Sequence, residues 1–164
     1  MLVVQDLEFQ TGHRIKQVVA TRAEIEARHH TLAIELPIDL PPALADRDRL
    51  LQILSNLISN AYKYTPEGGN IRIAAERLAG PEAPAEYLLM SISDSGIGMS
   101  SQELAHVGEK FFRASHDLVR AQPGSGLGVS IVQQLIALHG GQLTIKSEPD
   151  QGSTFSFTLP TAGK

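Results

Sequence analysis

The feature that most constrains this chain is a long irregular stretch between two regular elements. Residues 94–126 are rich in Gly and Ser, and only a short amphipathic segment, Gln102–Phe112, interrupts them. In a compact domain, about 30 residues with little regular structure are uncommon and usually functional. The chain must therefore fold as a scaffold that holds a long functional loop between a strand and a helix.

Hydrophobic periodicity around this loop predicts alternating helices and strands. The predicted helices are His13–His30, Arg47–Tyr64 and Leu127–His139. The predicted strands are Thr31–Leu36, Ile71–Arg77, Tyr87–Ser93, Gln142–Ser147 and Thr154–Leu159. This order predicts an α/β (α+β) two-layer sandwich, in which a mixed, mostly antiparallel five-stranded sheet packs on three helices.

Composition excludes several functional classes. The 14 basic and 18 acidic residues give a net charge of -4, whereas nucleic-acid binding requires clustered positive charge. The absence of Cys excludes disulfides and Cys-based zinc sites. No apolar run approaches the roughly 20 residues of a membrane helix, and no signal-peptide pattern is visible. We therefore expect a cytoplasmic domain without direct membrane contact, and leave open whether its parent protein is membrane-anchored.

The predicted helix Arg47–Tyr64 has two opposed faces. Its apolar face consists of Leu50, Leu54, Leu57, Ile58 and Ala61. Asn56, Asn60 and Lys63 follow one another at i, i+4 and i+7, so they share the other face. Amide oxygens and an ammonium group along one stripe suit a hydrated Mg²⁺ and a polyphosphate. The alternative is an ordinary solvated polar face.

A short acidic and glycine-rich segment, Asp94–Gly98, directly follows the predicted strand Tyr87–Ser93. A carboxylate at the end of a strand can accept a hydrogen bond from the exocyclic amine of adenine. The two glycines, Gly96 and Gly98, let the backbone pass close to a flat ring. The alternative is a tight turn capped by the aspartate side chain.

A second glycine-rich segment, Gly124–Gly128, opens the last predicted helix. Backbone N–H groups at such a helix start bind anions, aided by the helix dipole. Val129 stands where a dinucleotide-binding fingerprint would place its third glycine, and no P-loop pattern occurs. The segment therefore predicts a phosphate cradle of another type.

The segment Lys110–Arg113 places two aromatic residues inside the long loop. The pair could latch the loop to the body of the domain and leave Arg113 to meet a phosphate. The alternative is a buried loop anchor followed by a surface charge. Both interpretations remain open at this point.

Taken together and in this order, the motifs resemble the catalytic ATP-binding domain of bacterial sensor histidine kinases, within the GHKL superfamily. NLISNAYKYTPEGG is similar to the N box, DSGIG to the G1 box, KFFR to the F box, GSGLGVSIV to the G2 box and GSTFSFTLP to the closing strand motif. The resemblance implies a catalytic domain at 13–164. Residues 1–12 would then be a stub from the end of the dimerisation helix.

The resemblance implies a role for each matching position. Asn60 would coordinate Mg²⁺ with Asn56 close by, and Lys63 and Arg113 would contact phosphate, so these four would be the catalytic residues. Asp94 would read the adenine amine. The other nucleotide contacts would be Tyr64 beside the adenine, Gly96 and Gly98 around it, Gly124, Gly126, Leu127 and Gly128 at the phosphates, and Thr154 on the adenine side.

The implied activity is transfer of the γ-phosphoryl group of Mg·ATP to a histidine on a separate dimerisation domain, and from there to a response regulator. The ATPase branches of the superfamily carry a Glu four residues before the metal-binding Asn. Asn56 occupies that position here, and an amide cannot act as a general base at neutral pH. The resemblance therefore favours phosphotransfer over hydrolysis.

Two departures from the family pattern leave alternatives open: a glycine in the F box, and the lack of the phosphoacceptor histidine and its dimerisation helices in this sequence. The first aromatic residue of the F box falls at Gly108, within the implied ATP lid at 99–123, which favours a looser lid. His116 begins an acceptor-like HDLVR segment, but it lies in the lid rather than on a long helix. A nucleotide-gated interaction module (a pseudokinase), a GHKL ATPase and an anti-sigma-type serine kinase are the alternatives. We expect the isolated domain to be a monomer.

Overall fold

The computed structural model describes residues 28–78 and 87–161. The strands in these ranges are β1 (Thr31–Glu35), β2 (Asn70–Leu78), β3 (Tyr87–Asp94), β4 (Leu143–Glu148) and β5 (Gly152–Pro160). The helices are α1 (Arg47–Tyr64), α2 (Ser101–His106), α3 (Asp117–Ala121) and α4 (Gly128–Leu138). All five predicted strands and the two later predicted helices are confirmed, with ends that differ by two residues or fewer.

The five strands form one mixed sheet in the order β1-β2-β3-β5-β4. β1 and β2 are parallel, because α1 carries the chain back between them, and the other three pairs are antiparallel. Buried side chains continue from strand to strand, as in the row formed by Ile73, Ile92 and Phe155. The predicted α/β fold with a mostly antiparallel sheet is therefore confirmed.

The hydrophobic core lies between one face of this sheet and the pair α1 and α4. All five apolar residues predicted for the core face of α1 are buried, and Ile53 joins them. Phe157 and Val132, which are fully buried, belong to the same core. The remaining predicted helix, His13–His30, lies outside the described residues except for its last three positions. Those positions form a turn in which His29 has a φ of 55°, so no helix reaches His30.

Histidines hold both ends of α1. At its start, the Nε2 atom of His139 accepts the backbone N–H of Asp46 at 3.0 Å, while its Nδ1 atom donates to the Leu135 carbonyl at 2.7 Å. At its end, the Nε2 atom of the buried His30 lies 3.1 Å from the Thr65 carbonyl oxygen. These contacts satisfy backbone groups that every helix end leaves unpaired. The polar face of α1 therefore has a fixed place in the fold.

The loop between β3 and α4 contains more regular structure than the sequence predicts. The amphipathic segment Gln102–Phe112 is helical only as far as His106. Beyond it, a side chain at Gly108 would begin 2.5 Å from the Gln133 amide nitrogen, so Gln133 occupies the space that an aromatic residue would need. The five-residue helix α3 was not predicted, because so short an element shows little periodicity.

The packing of α4 gives a matched test of the core. Leu135 is 6% exposed and Leu138, on the same helix, is 72% exposed. We expect Leu135→Ala to lower the free energy of unfolding by about 2–5 kcal/mol, because it leaves a cavity in the core. Leu138→Ala should change it by no more than about 0.5 kcal/mol. Urea titrations followed by circular dichroism would measure both, and equal losses would contradict this placement of α4.

Candidate functional site

A cavity of about 510 Å³ lies between α1, the segment that follows β3 and the start of α4. Its size is typical of a small-molecule site. Ten residues that the sequence predicts for the site line it: Asn56, Asn60, Lys63, Tyr64, Asp94, Gly98, Arg113, Gly124, Gly126 and Gly128. The fold thus brings the four sequence motifs to one place.

The polar stripe of α1 forms one wall of the cavity. The amide nitrogen of Asn56 donates to the Gln52 carbonyl at 2.9 Å, which sets the orientation of this side chain. Its amide oxygen lies beside the start of α4, 3.2 Å from where a side chain on Gly128 would begin. That oxygen therefore remains available to a metal ion or a ligand. Asn60 and Lys63 continue the same wall along the helix.

Asp94 forms the opposite end of the cavity, where β3 stops. Its Oδ1 atom accepts the backbone N–H groups of Gly96 at 2.8 Å and Ser153 at 3.3 Å. Burial raises the pKa of the Asp94 carboxyl above its ordinary value, and these two hydrogen bonds offset part of that rise. Gly96 is not among the residues that line the cavity, and its backbone N–H helps to hold this carboxylate.

Two glycines allow backbones to touch at the cavity. Gly98 has a φ of 62°, and a side chain there would overlap the carbonyl oxygen of Glu148. Gly126 has a φ of 72°, and a side chain there would begin 2.7 Å from backbone atoms of Phe111 and Phe112. Only glycine meets both requirements easily, a left-handed conformation and a close approach. The two glycine-rich segments are therefore packed directly against neighbouring loops.

Arg113 lines the cavity, but its guanidinium group binds the lid. It donates to the carbonyl oxygens of Val119 and, at 2.7 Å, Gln122, at the C-terminal end of α3. Val119 is buried and contributes to the cavity wall. The carboxylate of Glu103, on α2, also ties the lid together, because it accepts the backbone N–H of Ser115 at 3.1 Å. Both of the hydrogen bonds from Arg113 to the Val119 and Gln122 carbonyl oxygens use its Nη2 atom.

Thr154 lies one position from the residue of β5 that lines the cavity. The Thr154 hydroxyl pairs with Ser93 at 3.0 Å on the sheet face opposite the core, and Thr154 does not line the cavity. Ser153, one residue earlier, lines it and donates to Asp94. Successive strand residues point to opposite faces, so a shift of one position exchanges the two environments. Leu127 also lies outside the wall and serves as the N-terminal cap residue of α4.

Sequence reasoning missed a second group of cavity residues. Ser55 and Ser59 flank the predicted stripe on α1, and the i, i+4 spacing that identified Asn56 and Asn60 could have found them. Ser125 and Ser153 were also missed, and most of the other missed residues are apolar, among them Ile97, Met99, Val107, Phe112, Val129 and Phe155. Such apolar walls are usual in ligand sites, but in a sequence they cannot be distinguished from core residues.

Comparisons with known proteins agree with this geometry. Residues 45–163 match the family described as "Histidine kinase-, DNA gyrase B-, and HSP90-like ATPase". The adaptive-response sensory kinase SasA of Synechococcus elongatus is 40% identical over 82% of this chain and 33% of its own length. The non-motile and phage-resistance protein of Caulobacter vibrioides is 36% identical over 94% of this chain and 18% of its own length. The chain thus spans about a third or less of these relatives.

Solved structures show the same fold. The catalytic domain of histidine kinase ThkA superposes with a TM-score of 0.73 at 26% identity, covering 93% of this chain and 95% of that one. Full-length ShkA in complex with AMPPNP gives a TM-score of 0.72 at 31% identity, covering 92% of this chain and 30% of that one. The family match, the relatives and the shared fold agree, and the chain belongs to the family of histidine kinase-, DNA gyrase B- and HSP90-like ATPases.

Proposed function

We propose that this domain binds Mg·ATP in the cavity and donates the γ-phosphoryl group to a histidine on a separate dimerisation domain of the same kinase. A response regulator would then receive the phosphoryl group. The observation that supports this most directly is the meeting of the α1 stripe, Asp94 and the Gly124–Gly128 segment around one cavity of about 510 Å³. One end offers a carboxylate to a base, and the other offers amides, an ammonium group and backbone N–H groups to phosphates.

The adenine end would be built on Asp94. Its Oδ1 atom is already engaged by two backbone N–H groups, which leaves the second carboxylate oxygen to accept an exocyclic amine. Guanine presents a carbonyl oxygen at the corresponding position, and that oxygen would repel the carboxylate. Ile97, Met99 and Phe155 supply apolar surface for the flat ring. The site therefore favours adenine over guanine.

The phosphate end would be built on α1 and the start of α4. The residues fit Mg²⁺, since Asn56 and Asn60 offer amide oxygens on one helix face and phosphates and water would complete the shell. Within residues 28–78 and 87–161, no cluster of three or more His, Asp or Glu side chains offers a competing metal site. When bound, Mg²⁺ would neutralise phosphate charge. Lys63 would add a positive charge at the same wall.

The transfer itself requires little chemistry from this chain. The bond between the γ-phosphorus and the bridging oxygen breaks, and ADP leaves with that electron pair. A neutral imidazole nitrogen of the acceptor supplies the pair for the new P–N bond, and the proton on its other ring nitrogen passes to water. The residues of the cavity position the reactants and neutralise charge. Asn56 cannot activate water as a carboxylate could, which favours transfer over hydrolysis.

Within the described ranges, none of the helices combines the length and hydropathy that crossing a bilayer demands.

Binding of ATP is the first prediction of this proposal. In calorimetric titrations with a non-hydrolysable ATP analogue and Mg²⁺, we expect Asp94→Asn to weaken binding at least about tenfold, because a hydrogen bond to a charged acceptor is lost. Asp39→Asn, which alters an exposed residue of the loop after β1, is the matched control and should bind like the wild type. Equal affinities of wild type and Asp94→Asn would contradict the proposed adenine site.

The same substitution should stabilise the fold. Because the pKa of Asp94 is raised by burial, the ionised carboxylate destabilises the folded state at neutral pH. Asparagine retains an acceptor for the N–H groups of Gly96 and Ser153 without the buried charge. We expect a higher melting temperature for nucleotide-free Asp94→Asn at neutral pH. The difference should disappear below the ordinary carboxyl range, where Asp94 is protonated in both states. A lower melting temperature at neutral pH would contradict this account.

Phosphotransfer is the third prediction. With labelled ATP and the separately supplied dimerisation domain of the parent kinase, we expect acid-labile phosphohistidine on that domain. Asn60→Ala should lower the rate at least about tenfold, because an amide ligand to the metal is lost. Steady phosphate release by the isolated domain, sensitive to Asn60→Ala, would instead indicate an ATPase. Acid-stable phosphoserine would indicate a serine kinase, and nucleotide binding without transfer would indicate an interaction module.

A further inference from the structure

We propose that Ser147, on the edge strand β4, is a positioning residue for the adenine end of the site. Its hydroxyl group contacts both Met99, where the lid begins, and Ser153, and thereby holds the Asp94 carboxylate in place. This inference rests on the proposed function, because it concerns the same site. Ser147 does not line the cavity, so it would act only through its neighbours.

Three polar groups surround the Ser147 hydroxyl. Its oxygen accepts the backbone N–H of Met99 at 2.8 Å. It lies 2.9 Å from the hydroxyl oxygen of Ser153, and it can donate to the Gly152 carbonyl at 3.1 Å. A serine hydroxyl has one donor and two acceptor positions, so these three partners use its full capacity. Ser147 and Ser153 are also direct partners in the register of β4 and β5.

Two of these partners, Met99 and Ser153, lie at the adenine end of the cavity. Met99 lines the cavity and immediately precedes Ser100, the N-cap of α2, so it marks the point where the lid begins. Ser153 also lines the cavity, and its backbone N–H donates to the Asp94 carboxylate. One hydroxyl therefore links Met99, the first residue of the lid, to Ser153, which holds the base-reading carboxylate.

The turn between β4 and β5 makes a second contact with the loop after β3. The backbone N–H of Asp150, in the turn between β4 and β5, donates to the Ile97 carbonyl at 2.8 Å. Ser147 and Asp150, both in the β4–β5 hairpin, thus hold the loop after β3 at two points, Met99 and Ile97. Without the Ser147 hydroxyl, the Met99 N–H would lose its partner, and the loop could shift relative to Asp94.

The chain contains a matched control for this contact. Ser91 and Ser156 form a hydroxyl pair at 2.9 Å between β3 and β5. This distance equals that of the Ser147–Ser153 pair, but neither Ser91 nor Ser156 lines the cavity. Ser156→Ala removes a hydrogen bond of the same kind from the same sheet. It therefore reports the cost of losing such a bond where no ligand is involved.

The test compares Ser147→Ala, Ser147→Thr and Ser156→Ala in calorimetric titrations with ADP, GTP and the non-hydrolysable ATP analogue. We expect Ser147→Ala to weaken binding of the adenine nucleotides about threefold to tenfold, equally for di- and triphosphate, because Met99 and Ser153 lose the contact that positions the Asp94 carboxylate. Its preference for adenine over guanine nucleotides should also fall. Ser147→Thr, which keeps the hydroxyl, and Ser156→Ala should resemble the wild type.

A second measurement requires no nucleotide. Amide hydrogen exchange at Met99 should be faster in Ser147→Ala than in the wild type and unchanged in Ser156→Ala, since only the first substitution removes its acceptor. Unchanged affinity, or equal weakening by Ser147→Ala and Ser156→Ala, would overturn the inference. If the wild type binds no nucleotide, the proposed function fails and this inference falls with it. The Met99 exchange would then show separately whether the structural link exists.

Discussion

The site depends on the burial of one face of α1. Six side chains of this helix are buried in the core, and burying apolar area is the largest favourable contribution to folding. Because the helix cannot turn without exposing that face, Asn56, Asn60 and Lys63 must lie on the other side. His139 and His30 add fixed contacts at its two ends. A binding wall thus follows from the same packing that stabilises the domain.

The opposite wall has a cost in stability. Asp94 is a carboxyl group whose pKa is raised by burial, held by two backbone N–H groups at the end of a buried strand. A protein selected for stability alone would place a neutral residue there. A preorganised carboxylate suits recognition of an amine, because its hydrogen bonds are set before the ligand arrives. The stability that the core supplies offsets this cost.

The lid is organised by polar contacts rather than by a core of its own. Arg113 binds the end of α3, and Glu103 binds both Ser100 and Ser115. These are charge-assisted hydrogen bonds between side chains and the backbone, and they connect separate segments of the lid. The lid is therefore ordered by specific polar contacts in this structure. Val119, buried against the cavity, adds an apolar contact.

The sequence by itself determined most of the secondary structure and the residue types available to a site, because periodicity and residue type are local properties. It predicted α1 with its correct ends, all five strands and the polar groups at Asn60 and Asp94. Only the tertiary structure decided which face of β5 borders the cavity, and so selected Ser153 over Thr154. It also gave Ser147 its partners. A strand side chain points to one of the two faces of the sheet, and what it contacts is decided only when the helices pack on one of those faces.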